Sequence, residues 1–318
     1  MTKHFITLSD RNYLVYGLTL YESIKKNIGS DFKLYYLALD DFTYNKLEEL
    51  NNSSIEVYSI DDIENDSMFD ILKNNNESRP IDTSDGQSPF HWALASFFTF
   101  FIMRTKQPSH CLYIDSDIIF YRDPQMLFDS VENHSIGIIT HKHMKLNKWA
   151  KDVGYYNVGV IYFKNDEIGY KCLKWWSDVV ADKNNPWFED FGTCGDQKYL
   201  ECFEDLFGKN NIKVLCRDVG NGAPWNFHKF QEKDKFFERG QICWRDEERL
   251  VLTDSDEVVQ DLVFNHFSHF TPDFDNDTYT VDRSGEWSNI CKIDEPGIKE
   301  IYDDYFENIK ITKRNYGL

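Results

Sequence analysis

Two aspartates, Asp115 and Asp117, interrupt a run of sequence that is otherwise apolar. The run reads CLYIDSDIIFYRDP over residues 111–124, the composition of a buried central strand that stops at Asp-Pro. A carboxylate removed from water must be paired, protonated or bound to a metal, and two of them at positions i and i+2 repel each other unless a cation lies between them. Because side chains two residues apart on an extended chain share one face, this spacing predicts a site for a hard divalent cation.

The elements that must position this pair alternate between strand and helix. The predicted strands are 4–8, 32–40, 54–60, 137–143, 155–165, 212–218 and 262–270, and the predicted helices are 13–27, 43–50, 90–104 and 166–182. Residues 64–89 are polar throughout and predict a long loop. The alternation is typical of a mainly parallel α/β sheet covered by helices, and such sheets bind ligands at the carboxyl ends of their strands, where the aspartates fall.

The composition indicates a globular protein that does not bind nucleic acid. The 318 residues include 54 Asp+Glu against 35 Lys+Arg, a net charge of −19, whereas a phosphate backbone requires a basic face. The seven cysteines form no C-x-x-C pair, which favours a reducing compartment over a zinc site or a disulfide framework. No apolar run has the length of a signal peptide or a membrane span, so we expect a cytoplasmic protein. The basic tail, IKITKRNYGL, either touches the inner face of an anionic membrane or is simply solvated.

An apolar strand that ends in D-x-D is compatible with three interpretations. A phosphatase of the haloacid dehalogenase type carries D-x-D near the chain start, with Thr or Val two places after the second Asp, where this chain has Ile119. A nucleotide-sugar glycosyltransferase uses the pair to hold Mn²⁺ or Mg²⁺ against the donor diphosphate. The third interpretation is a charged strand end with no ligand.

The motif YIDSDIIFYRDP resembles the D-x-D strand of GT-A fold glycosyltransferases, particularly those of family 8 and a related group of bacterial enzymes of the cell envelope. The likeness runs from Phe5 to His269. It implies a GT-A domain over residues 1–270, a C-terminal extension over 271–318, and Asp115 and Asp117 as metal ligands.

Other motifs of the same family occur in the family's order. TLSDRNYLVYG resembles the turn that holds the nucleotide, which implies contacts from Thr7, Asp10, Asn12 and Tyr13, together with Asp115, Ser116 and Gly159. Alternatively, Asn12 caps the following helix and Tyr13 packs in the core.

YYNVGVIYF resembles the N-x-G strand that crosses the donor sugar, and GDQ resembles the motif at the reacting centre. The likeness assigns Asn157, Asp196 and Gln197 to catalysis. Alternatively, Asn157 and Gly159 mark an ordinary turn and bulge, and Asp196 begins a helix.

NHFSHF resembles the segment that supplies a late histidine ligand, which we assign to His266, with His269 as the alternative. The chain departs from the family in having TPDFDNDTYT where K-P-W is usual and no arginine in the helix before D-x-D. The candidates for neutralising the diphosphate are then His91, Lys229 and Arg283.

These motifs predict a metal-dependent hexosyltransferase that uses a nucleoside-diphosphate sugar, with UDP favoured, and a glycan, glycolipid or protein acceptor. The family likeness implies retention of configuration, whereas an inverting enzyme would use Asp196 as its base. The alternatives are a nucleotidyltransferase, although LSDRNYLVYG lacks its Gly-rich loop, and a sugar-nucleotide-binding protein without activity.

Overall fold

The computed structural model describes residues 2–77, 89–141, 153–191, 195–215, 219–227, 241–246, 249–254, 258–281 and 296–318. The α-helices in these ranges are α1 (Leu14–Ile28), α2 (Asp41–Glu49), α3 (Ser67–Glu77), α4 (Pro89–Lys106), α5 (Gln125–Val131), α6 (Glu167–Ala181), α7 (Phe188–Phe191), α8 (Phe203–Phe207) and α9 (Pro296–Tyr316). The strands are β1 (Lys3–Ser9), β2 (Phe32–Ala38), β3 (Ile55–Tyr58), β4 (His110–Ile114), β5 (Ile118–Phe120), β6 (Ile136–Thr140), β7 (Tyr156–Lys164), β8 (Ile212–Leu215), β9 (Gly220–Gly222), β10 (Gln241–Asp246), β11 (Arg249–Asp254), β12 (Val259–His266), β13 (Thr271–Asp273) and β14 (Thr278–Thr280).

A seven-stranded sheet forms the centre of the molecule, in the order β3-β2-β1-β4-β7-β6-β8. Its strands are parallel except β7, which runs antiparallel to β4 and β6. Because side chains alternate between the faces of a strand, Ile6 and Tyr113 pack under α4 and α6, while Phe5 and Leu112 pack under α1. The predicted mixed, mainly parallel α/β fold is confirmed.

The aspartates lie between two strands and not within one, which corrects the sequence prediction. β4 ends at Ile114, and β5 leaves the central sheet to pair antiparallel with β12 in a second sheet. The Ile118 N–H donates to the Asp115 carbonyl at 3.2 Å and closes the turn that holds the pair. The run reads as one strand because both of its halves are fully buried.

Two other predicted boundaries also differ. The polar stretch 64–89 contains α3, whose Phe69 and Leu72 are buried against α4 while its polar residues cover the outside. The strand predicted over 262–270 ends at His266, and His269 adopts φ 64° in the turn that follows.

The C-terminal helix α9 packs on α1 and on an aromatic cluster beneath the second sheet. Tyr305 stacks on Phe267 with ring centroids 3.6 Å apart, and Tyr316 donates a hydrogen bond to Glu22. In the part of the chain that is described, no helix combines the length and the apolar character needed to cross a membrane.

Candidate active site

The carboxyl end of β4 and the end of β12 bring three candidate metal ligands together. Because His266 pairs with Ile118 across the β5–β12 ladder, its ring comes over the turn between β4 and β5. Nε2 of His266 lies 3.1 Å from Oδ1 of Asp117 and 3.7 Å from Oδ2 of Asp115. One ligand atom from each residue falls within 4.8 Å of the others, so the group has the size of a cation site.

The charges within this group are poorly balanced without a cation. Burial raises the pKa of the Asp115 carboxyl, and the negative charge of Asp117 adds to the increase. Burial by itself disfavours a charged His266, but the two carboxylates outweigh it and raise the pKa of its imidazole. Two partly buried carboxylates beside one buried imidazole favour occupation by a positive ion.

Tyr113 holds one of these carboxylates in place. Its hydroxyl donates to Oδ1 of Asp115 at 2.8 Å, and the tyrosine is almost fully buried. Burial raises the pKa of the Tyr113 phenol, and the charges of Asp115, Asp196 and Asp117 raise it further. Tyr113 therefore lies among the three aspartates, which places Asp196 on the same side of the sheet as the ligand group.

The amide groups of Asn157 and Gln197 hold each other. Nδ2 of Asn157 donates to Oε1 of Gln197 at 3.1 Å and contacts Nε2 of His141 at 3.3 Å, while its Oδ1 accepts from the Gly159 N–H at 2.9 Å. Nε2 of Gln197 donates to the Val153 carbonyl at 2.8 Å. These contacts fix the N-x-G strand against the D-Q motif.

Gly159 is placed directly beside the histidine of the ligand group. A Cβ atom at this position would lie 2.6 Å from Nδ1 of His266 and 2.7 Å from Oδ1 of Asn157. The carbonyl of Gly159 accepts the Asp115 N–H at 3.0 Å. The absence of a side chain thus lets β7 approach both His266 and the turn that carries Asp115.

The D-Q motif is held by two tryptophans. The indole N–H of Trp176 donates to the Asp196 carbonyl at 2.9 Å. Gly195 has φ +56°, and a Cβ atom there would lie 2.8 Å from Cε3 of Trp92. Both the backbone conformation and the close ring therefore require glycine before Asp196.

The predicted nucleotide contacts lie at the end of β1 and the start of α1. Oδ1 of Asp10 accepts the backbone N–H groups of Asn12 at 2.9 Å and Tyr13 at 3.1 Å, and its Oδ2 accepts the Asn12 amide at 3.1 Å. Asp10 thus organises the turn before α1, and the ring of Tyr13 packs on Tyr16 at 5.1 Å. Thr7 is fully buried.

The remaining predicted contacts fall near the same end of the sheet or outside the described residues. Ser116 is buried in the turn between Asp115 and Asp117. Burial lowers the pKa of His91, and the charge of Asp10 opposes this decrease, which places His91 near the predicted nucleotide turn. Lys229 and Arg283 lie outside the described residues.

Sequence reasoning did not identify Tyr113, His141 or Trp92 as residues of this site. Tyr113 could have been found, because it lies two residues before Asp115 and so on the same face of an extended chain. His141 follows β6 without any motif, and Trp92 lies in an aromatic helix that reads as core. Both are brought to the site by tertiary packing alone.

Comparisons with known proteins give one relative in sequence and two likenesses in fold. The chain is 24% identical to the uncharacterized protein YfnF of Bacillus subtilis (strain 168) over 322 residues, which cover 97% of this chain and 93% of YfnF. The galactosyltransferase LgtC, solved with donor and acceptor sugar analogs, matches over 83% of this chain and 86% of its own, with a TM-score of 0.50 and 14% identity. Mouse xyloside xylosyltransferase 1 in its apo form matches over 84% of this chain and 97% of its own, with a TM-score of 0.51 and 13% identity.

The structural likenesses show a shared GT-A fold, and the sequence shows the family. The profile described as "Glycosyl transferase family 8" matches residues 4–187, more than half of the 318-residue chain. The matched range contains Asp115, Asp117, Asn157 and Gly159. The chain is therefore a glycosyltransferase that belongs to glycosyl transferase family 8.

Proposed function

We propose that this glycosyltransferase moves a hexose-type sugar from a nucleoside-diphosphate donor, with UDP as the nucleotide, to an acceptor hydroxyl in a reaction that requires a divalent cation. The observation that carries the proposal is the convergence of Asp115, Asp117 and His266, whose ligand atoms lie within 4.8 Å of one another at the carboxyl end of β4. The acceptor we propose is a glycan, a lipid-linked sugar or a protein side chain.

The residues fit Mn²⁺, with Mg²⁺ as the alternative. Carboxylate oxygens suit hard cations, and an imidazole beside them favours Mn²⁺ over Mg²⁺. Three protein ligands leave coordination positions for the oxygens of a diphosphate. When bound, the cation would supply Lewis-acid stabilisation of the negative charge that develops on the departing diphosphate.

The protein's own residues prepare this site. The hydroxyl of Tyr113 fixes the orientation of Asp115 through a 2.8 Å hydrogen bond, so the carboxylate keeps one free oxygen directed toward His266. On the nucleotide side, Thr7, Asp10, Asn12, Tyr13 and Ser116 are the proposed contacts. The Asp10 carboxylate organises that turn, and we assign the recognition of the base to the groups which it positions.

Asp196 is the proposed residue of the sugar-binding side. We favour retention of the anomeric configuration, in which Asp196 accepts a hydrogen bond from a sugar hydroxyl and orients the ring. In an inverting reaction Asp196 would instead take the proton of the acceptor hydroxyl. Asn157 and Gln197 keep Asp196 and the N-x-G strand at a fixed distance through their 3.1 Å hydrogen bond.

Membrane contact through the C-terminal tail remains a prediction. Nζ of Lys310 lies 2.7 Å from Asp277 and 2.5 Å from Glu307, and Nζ of Lys313 lies 4.0 Å from the centre of the Phe274 ring. Much of the tail's positive charge therefore has partners within the protein. We expect lipid contact through the tail to depend mainly on Arg314 and to weaken at high salt.

The proposed reaction is tested by the release of free nucleoside diphosphate from UDP-, GDP- and dTDP-sugars, with Mn²⁺ and with EDTA. We expect turnover of a UDP-sugar that EDTA abolishes and that Asp117→Asn lowers by about 100-fold or more. Asp205→Asn, at an exposed aspartate of α8, is the matched control and should turn over normally. Metal-independent turnover, or equal rates for the two variants, would contradict the proposal.

A further inference from the structure

His266 lacks the hydrogen bond that usually orients a metal-binding histidine. The second ring nitrogen of such a ligand normally donates to a carboxylate, a carbonyl or water. In His266, Nε2 faces the two aspartates, and Nδ1 is buried without a hydrogen-bond partner among the described residues. Among the described residues, no hydrogen bond at Nδ1 therefore fixes the plane of this imidazole.

Packing surrounds the ring instead. On one side is the backbone of Gly159, so close that a Cβ atom there would stand 2.6 Å from Nδ1 of His266. On another side is Trp225, whose ring centroid lies 5.2 Å from that of His266 at an interplanar angle of 83°. This distance and angle are those of a favourable edge-to-face aromatic pair.

Trp225 is itself held on its other side by a second histidine. The ring of His141 lies 5.2 Å from that of Trp225 at 70°, and Nε2 of His141 contacts the Asn157 amide at 3.3 Å. His141 and Trp225 are both largely buried. One continuous row of rings thus joins the N-x-G strand to the metal-ligand histidine.

The backbone that carries Trp225 is tied to the strand that carries His266. β9 pairs in parallel with β12, and the next turn is closed by Asn226, whose Oδ1 accepts the Ala223 N–H at 2.9 Å. Asn226 is fully buried. The turn that carries the indole therefore directly follows a strand paired with the strand that carries the imidazole, and the position of one ring constrains the other.

We propose that Trp225 is the positioning residue for His266: its indole, supported by His141, fixes the imidazole plane that a hydrogen bond to Nδ1 would otherwise fix. The inference rests on the proposed function, since it assumes that a divalent cation binds at Asp115, Asp117 and His266. It adds a role for the 220–227 loop, which lies outside the range matched by the family profile.

The experiment is an equilibrium titration of the full-length protein with Mn²⁺ alone, followed by the electron paramagnetic resonance signal of the free ion. Trp225→Leu keeps an apolar side chain and removes the ring, and we expect it to raise the dissociation constant for Mn²⁺ about 10-fold. Trp225→Phe retains a ring edge and should remain within about threefold of the wild type. A matched control, Trp187→Leu, removes an indole from the separate Trp175–Trp187 pair and should leave Mn²⁺ affinity unchanged.

The outcomes separate this inference from the function on which it rests. If the wild type binds Mn²⁺ and folded Trp225→Leu binds it equally well, the tryptophan is only a core residue and the inference is wrong. If the wild type does not bind Mn²⁺, both the metal site of the proposed function and this inference are wrong. His141→Leu is the second variant, to be used if Trp225→Leu does not fold, because it removes the ring that packs on the other side of Trp225. An unchanged Mn²⁺ affinity in His141→Leu would also overturn the inference.

Discussion

Gly159 lies so close to His266 that a Cβ atom added to the glycine would stand 2.6 Å from Nδ1 of the imidazole. The contact joins the N-x-G strand β7 to the end of β12, two elements that no local sequence pattern connects. The N-x-G motif thus has a steric reason at this position: the glycine makes space for the histidine of the candidate metal-ligand group.

Gly159→Ala should displace His266 and so weaken Mn²⁺ binding. The overpacking is expected to lower the free energy of unfolding by about 1–3 kcal/mol. Gly29→Ala is the control, because Gly29 has φ +70° with open space around it, and the backbone strain of alanine there costs a similar 1–3 kcal/mol. Mn²⁺ titration and urea unfolding should show comparable destabilisation in both variants but a loss of affinity only in Gly159→Ala. An unchanged affinity in Gly159→Ala would contradict the steric argument.

Tyr113→Phe should weaken metal binding with little change of the fold. The substitution removes only the hydroxyl that donates to Asp115 at 2.8 Å, and loss of such an orienting bond typically lowers metal affinity about 10-fold. Tyr162→Phe on β7 is the control, since Tyr162 faces the opposite side of the sheet. Calorimetric titration with Mn²⁺ measures the effect, and equal affinities for the two variants would remove Tyr113 from the site.

Asp196→Asn should separate binding from turnover. Because Asp196 is assigned to the sugar and not to the cation, we expect unchanged affinity for Mn²⁺ and UDP, with a decrease in the rate of sugar transfer of about 100-fold or more. The exposed Asp190→Asn serves as the matched variant. A decrease in UDP affinity that accounts for the whole loss of rate would instead place Asp196 on the nucleotide side.

His110, at the opposite end of β4 from the aspartates, should make the protein sensitive to acid. Burial lowers the pKa of His110 to about 4, and the positive charges of His4 and Lys3 contribute. The neutral ring accepts the His4 N–H at Nε2, 3.1 Å away, and protonation would break this bond. Since the folded pKa lies below the unfolded value of about 6.5, the stabilisation is complete above pH 6.5 and is lost as the pH falls toward 4.

We expect the free energy of unfolding to fall by roughly 3 kcal/mol between pH 6.5 and pH 4, relative to a variant without the titrating ring. The variant is His110→Gln, which retains an acceptor for the His4 N–H. Urea unfolding of both proteins between pH 7.5 and 4.5 measures the difference in stability. A difference that stays constant over this range would show that His110 does not titrate on unfolding.

The central sheet was predictable from sequence because its strands and helices alternate with clear apolar patterns. The break between β4 and β5 was not, since Ile114 and Ile118 are both fully buried and only pairing with β12 tells the two sheets apart. Helix α3 was missed because it buries little more than Phe69 and Leu72 on one face. Local patterns report burial, whereas partner choice between strands depends on distant residues.

The same distinction applies to the site. Asp115 and Asp117 stand out because charge in an apolar run is unusual, and no local feature distinguishes His266 from His269. The end of β12 distinguishes the two histidines: His266 is the last residue of the ladder, and His269 lies in the following turn at φ 64°. His141 and Trp225 carry no motif for metal binding, so their row of rings is visible only in three dimensions.

The most direct test of the central claim is calorimetric titration of UDP into the protein with Mn²⁺ and with EDTA, for the wild type, Asp117→Asn and the control Asp205→Asn. If Asp115, Asp117 and His266 hold the cation that binds the diphosphate, UDP affinity should fall by about 10-fold or more when EDTA removes the metal from the wild type or the control. Asp117→Asn should bind UDP weakly under both conditions. Tight UDP binding that is independent of Mn²⁺, or an Asp117→Asn variant that still responds to the metal, would contradict the account.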